Sequence, residues 1–130
     1  MKNKDIYDGA LKILAERNAV GANDDYEERA PYLIAAFCSE SASADAAYRR
    51  ANYLPAANPV SEVYVDLASD FPCSTRFAAA ACTYLASMLI IDDDTELSDK
   101  LFDKYSDIMS AICSEIPALI EDISDRYSFL

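Results

Sequence analysis

The feature that most restricts what this chain can fold into is one apolar stripe, Leu97, Leu101, Tyr105, Ile108, Ile112, Ile116, Leu119 and Ile123, repeating at about 3.6 residues. Such a period buries only as the inner face of a long helix. Pro117 interrupts it and predicts a kink, which leaves a separate C-terminal segment running to Tyr127-Ser128-Phe129-Leu130.

Other segments repeat the helical pattern. Ile6, Ala10, Ile13 and Leu14 share a face over Asp5 to Arg17, with Asp8, Lys12 and Glu16 elsewhere, so one amphipathic helix is predicted, ending near Asn18. Gly21-Ala22-Asn23-Asp24 reads as a loop, with Asp24 as N-cap of a second helix that buries Ala30, Leu33, Ile34, Phe37 and Cys38. Pro31 predicts a bend there, or a helix that begins just before it. The serine- and alanine-rich Ser39 to Arg50 either continues that helix or forms a short separate one. Pro55, Pro59, Asn52 and Asn58 mark a loop over Ala51 to Val60, and Val63-Tyr64-Val65 carries the only β signal, enough for a hairpin at most.

Asp70-Phe71-Pro72 introduces a helix from about Cys73 to Ile91, polar only along Arg76, Thr83 and Ser87, and so buried nearly all round. The turn Asp92-Asp93-Asp94 then leads into the striped helix, with Asp94 or Thr95 as its cap. The fold expected is mainly α: a single domain over 1–130, a small bundle of about four helices, with a short extended segment or β-hairpin between the second and third. Apolar residues at 52% and a length of 130 are enough to bury roughly two-thirds of the unfolded surface.

Charge and chemistry narrow the function. With 23 acidic against 11 basic residues the net charge is −12, which disfavours sequence-specific nucleic-acid binding and anionic membranes. No apolar run approaches the ~18 residues a bilayer span needs. The N-terminus lacks an apolar signal core, so an intracellular protein is expected. Cys38, Cys73, Cys82 and Cys113 form no Cys-x-x-Cys pair, and they read as small buried hydrophobes rather than zinc ligands.

The chain has no histidine, and its two glycines, Gly9 and Gly21, form no phosphate loop. Asp92 to Glu96 lacks calcium-loop spacing. The carboxylate pairs Asp103/Asp107 and Glu121/Asp125 read as exposed helix charges, with Lys100 and Lys104 as counter-charges. No catalytic, cofactor or metal residue is assigned, and an assembly component is expected rather than an enzyme.

Among the nine tyrosines, Tyr32, Tyr84 and Tyr105 lie on helix faces and are expected in the core. Tyr53 and Tyr64, in a loop and a lone extended segment, are candidate partner contacts. So is the apolar end of the chain, residues 117–130, through Ile120, Ile123, Tyr127, Phe129 and Leu130.

The stretch Glu28-Arg29-Ala30-Pro31-Tyr32-Leu33-Ile34-Ala35-Ala36-Phe37-Cys38 and the order Val63-Tyr64-Val65, Asp70-Phe71-Pro72, alanine-rich helix, Asp92-Asp93-Asp94 and Leu101-Phe102-Asp103-Lys104-Tyr105 resemble head-tail connector, or adaptor, proteins of tailed bacteriophages and prophages. The resemblance spans about two-thirds of the chain and omits 39–60. It implies a homo-oligomeric ring below the portal, in the virion neck, assembled in the bacterial cytoplasm. It also implies contacts with the portal protein and a tail or head-completion protein, DNA passing only as cargo, and the C-terminal segment docking on the portal. The acidic charge fits a lumen through which DNA slides, and the alanine-rich helix fits close subunit packing. A tail-completion or terminator ring protein, and a small regulatory helical module binding one protein, are the alternatives.

Overall fold

The computed structural model describes residues 1–14, 24–58 and 60–116; among them it is mainly helical, with no strand. Helix α1 spans Asn3–Leu14, α2 Asp24–Ala51, α3 Ala78–Ile90 and α4 Thr95–Ser114, and a 3-10 turn, Thr75–Phe77, leads into α3. The architecture is the expected small helical bundle.

Helix α1 begins earlier than its apolar pattern suggests, because Lys2 and Asp5 cap it reciprocally. The Lys2 amide donates to Asp5 Oδ2 at 2.8 Å, and the Asp5 amide donates to the Lys2 carbonyl at 3.0 Å. Its expected end and the turn at Gly21 lie outside the described residues.

Helix α2 runs unbroken through Pro31 and through the Ser/Ala stretch, whose alanines are strong helix formers. It therefore begins seven residues ahead of Pro31 rather than at it, and Asp24 opens the helix. Pro31 lacks the N–H that would bond Glu27, but its own carbonyl accepts from the Val65 amide at 3.3 Å. The helix closes on a Schellman motif: Leu54 N donates to Arg49 O at 2.8 Å and Tyr53 N to Arg50 O at 3.3 Å.

Val63 lies in a bend and Val63-Tyr64-Val65 forms no strand, so there is no hairpin among the described residues. The following residues pair with α1 instead. Asn3 N and Lys4 N, which have no partner within their own helix, donate to Ser69 O and Leu67 O, both at 2.9 Å. Phe71 N donates to Met1 O at 2.9 Å, beside an isolated antiparallel bridge between Lys2 and Asp70.

Helix α3 is the centre, packed on α4, α1 and α2. Its polar line is not a surface stripe: Thr83 and Ser87 are buried. Thr83 Oγ1 donates to Ala79 O at 2.8 Å, Ser87 Oγ to Ser98 O at 3.0 Å, and Ser98 Oγ to Ser87 O at 2.9 Å. The reciprocal serine pair lets α3 and α4 approach without an orphaned hydroxyl. Gly9 gives α1 the same closeness, since a Cβ there would lie 2.7 Å from Cys82 Sγ.

Asp94 caps α4 by accepting from Leu97 N at 3.0 Å. The helix ends at Ser114, before Pro117, and the predicted kink falls outside the described residues. Phe37 anchors the core, with ring centroids 6.4 Å from Phe71, 5.8 Å from Tyr84 and 6.1 Å from Tyr105. Burying such rings contributes ~2–3 kcal/mol each.

Candidate functional site

The connection from α2 to α3 builds the surface that the core does not use. Its position is set by one buried carboxylate. Asp45 Oδ1 accepts from the Ser74 amide at 2.9 Å and from the Ser74 hydroxyl, and Oδ2 accepts from Arg49 Nε at 2.9 Å. The Arg49 guanidinium then donates to Pro55 O at 3.0 Å and Pro72 O at 3.3 Å. A charge buried this deeply must be paired, and the pair here fixes both ends of the connection.

Along the connection Tyr53, Val63 and Tyr64 turn outward. Tyr53 is 95% exposed and Val63 78%. Tyr64, 44% exposed, packs edge-on against Tyr32, at 5.3 Å between centroids and 70° between planes. Tyr32 is 52% exposed, so it leaves the core expected for it, whereas Tyr84 is buried and Tyr105 half-buried against it at 5.2 Å. The Val65 bond to Pro31 explains this: it lays the segment 63–65 along the outer side of α2, where Tyr32 points. Periodicity alone did not reveal Tyr32; its neighbour Pro31, whose carbonyl meets the loop, is the residue that places it.

Tyr53 is also strained. Its φ of 56° is left-handed, a conformation costing a non-glycine residue about 1 kcal/mol or more. Nothing buries its ring in return.

Pro72 joins this face to a cavity of about 380 Å³, walled by α2 through Cys38 and Asp45 and by the loop through Leu54, Val60 and Cys73. On its other side Pro72 borders a shallow hollow that includes Glu62 and Tyr64. A smaller apolar pair, Ile91 and Phe102, is exposed where α3 meets α4.

Tyr53 and Tyr64 thus belong to one exposed connection, while Ile120, Ile123, Tyr127, Phe129 and Leu130 lie outside the described residues. No group of three or more acidic, cysteine or histidine side chains is placed to hold a metal among the described residues, and no helix there is long and apolar enough to cross a membrane. One acid-base perturbation ties two elements of the core together. Tyr26 is pushed up to about 12 by burial and by donating to Asp93 Oδ2 at 3.0 Å, tying the start of α2 to the α3–α4 turn.

No family model, curated protein or solved structure matches this chain.

Proposed function

We propose that the chain is a structural subunit that works by docking, and specifically a phage head-tail connector forming a ring below the portal. Tyr53 carries the reading. A tyrosine nearly free of contacts, held in a backbone conformation that favours glycine, contributes nothing to this fold that a smaller residue would not, and exposed aromatics are the usual anchors of protein interfaces. Tyr32, Val63 and Tyr64 add further exposed apolar side chains to the same connection, whose backbone is already ordered by its bonds to α1 and α2, so little entropy is lost on binding. The half-buried stripe of α4, through Leu101, Tyr105 and Ile108, supports close packing between copies. The net charge of −12 supports passage of DNA without adhesion.

Sedimentation and native mass spectrometry of the full chain test this, alone and with its neighbouring gene products. A closed ring of many copies is expected, lost in Tyr53→Ser and in the double variant Tyr32→Ser, Tyr64→Ser. A complex of one or two copies with a single protein would assign the patch to a regulatory binding module instead. A monomer under all these conditions would overturn the connector reading.

A further inference from the structure

The cavity beside Pro72 has a dithiol in its wall. Cys38 comes from the middle of α2 and Cys73 from the turn before the 3-10 residues, and both are buried and reduced. The neighbouring Cys38 thiol and burial keep the Cys73 thiol protonated well above the usual range. Cys73 is clamped on both sides. Its preceding residue, Pro72, gives its carbonyl to Arg49, and its following residue, Ser74, gives its amide and hydroxyl to Asp45. Arg49 and Asp45 lie on the same face of α2 as Cys38, so that face carries one thiol and the clamp on the neighbours of the other. Cys82, by contrast, lies under Gly9 of α1, and Cys113 is on α4.

We propose that Cys38 and Cys73 are a redox-active pair, closed to an intramolecular disulfide by a small organic disulfide that reaches them through the cavity. One cysteine, as thiolate, attacks the small disulfide, breaking its S–S bond and releasing one thiolate, which takes up a proton. The second cysteine gives up its proton and attacks the protein-bound sulfur of the mixed disulfide, expelling the other small thiol. Two cysteines are oxidised and one small disulfide is reduced to two thiols. The closed loop contains every residue from 38 to 73, and so includes Tyr53, Val63 and Tyr64. Oxidation therefore staples α2 to the turn that bounds the aromatic face.

Tryptic cleavage separates all four cysteines, placing Cys38 in 30–49, Cys73 in 51–76, Cys82 in 77–100 and Cys113 in 105–126. The full chain is equilibrated with hydroxyethyl disulfide, quenched in acid, blocked with N-ethylmaleimide and digested without reductant. The expected product is 30–49 joined to 51–76, two hydrogens lighter than the sum and released by dithiothreitol. It should form at a disulfide-to-thiol ratio at least tenfold lower in native protein than in guanidinium, because the fold supplies a high effective concentration. Cys73→Ala, checked for native circular dichroism, should stop at the mixed disulfide on Cys38. Recovery of both peptides as maleimide adducts, a wild-type product that stops at mixed disulfides, dominant linkage through Cys82 or Cys113, or equal linkage in guanidinium would each overturn the proposal. The native-to-guanidinium comparison needs no variant, so it decides even if Cys73→Ala fails to fold.

Discussion

The α3-centred core and the α2–α3 connection are stabilised by opposite means. Around α3 the side chains face inward, and burial of Phe37, Phe77, Leu85, Leu89 and Ile112 does the holding. In the connection the backbone is anchored by polar bonds to α1, to Pro31 and to the Asp45–Arg49 pair, while Tyr53, Val63 and Tyr64 face out. A region secured through its backbone leaves its side chains available. That is how a small domain can present Tyr53, Val63 and Tyr64 in fixed places without spending core residues on them.

If the contrast is right, core truncation should damage everything at once. Phe37→Ala removes the ring that meets Phe71, Tyr84 and Tyr105, and it should cost about 4 kcal/mol in chemical denaturation. Loss below ~1 kcal/mol would show that the core does not centre on this ring. Asp45→Ala should cost about 3 kcal/mol, by taking the buried carboxylate from Ser74 and leaving the partly buried Arg49 without its counter-charge. Its signature is local: amide exchange should rise first in 54–58 and 71–74, with α3 and α4 protected. Uniform loss of protection would mean that core and connection are one cooperative unit.

The two regions were also unequally legible in the sequence. Helix periods, the acidic turn and the Asp94 cap are local properties, and they placed the starts of α1 and α4 and the end of α3 to within two residues. What escaped was decided across the chain. Val63-Tyr64-Val65 has strand chemistry but no second strand to meet among the described residues, so its neighbours' hydrogen bonds go to the start of α1. Thr83 and Ser87 resemble a solvent stripe until Ser98 supplies the partner that lets the line be buried. Tyr32 sits at a plausible core spacing but faces the loop. The Cys38–Cys73 pair and the clamp by Asp45 and Arg49 depend on residues far apart in sequence, and no spacing rule relates them.

Tyr26 tests a tie between elements of the core. Its pKa, raised from 10.0 to about 12, favours the protonated phenol in the folded state. The stabilisation is therefore complete below pH 10 and falls as pH rises from 10 towards 12, where the unfolded chain ionises first. Tyr26→Phe should cost about 1 kcal/mol at neutral pH through its lost bond to Asp93. It should also show a shallower alkaline loss than wild type between pH 10 and 12. Parallel alkaline curves would place the titration elsewhere.

The smallest effect sharpens the comparison most, because its sign is opposite. Tyr53 occupies the left-handed position of the α2 Schellman motif, φ 56°, with its ring in solvent. Glycine there relieves the Cβ clash, against which stands the extra freedom glycine gives the unfolded chain. The clash, about 1–2 kcal/mol, outweighs that entropy of about 0.5–1 kcal/mol, so Tyr53→Gly should stabilise the isolated domain by up to ~1 kcal/mol. Tyr53→Ser keeps a Cβ and separates the two contributions, for it removes the ring but not the strain, and its stability should stay within ~0.5 kcal/mol of wild type. Both variants should assemble less well than wild type, since both lack the ring. A residue that weakens the fold yet strengthens assembly is what a docking anchor requires. If Tyr53→Gly instead melts lower than wild type, the tyrosine is a packing residue of the free chain, and the division between a holding core and a presenting connection fails at its most exposed point.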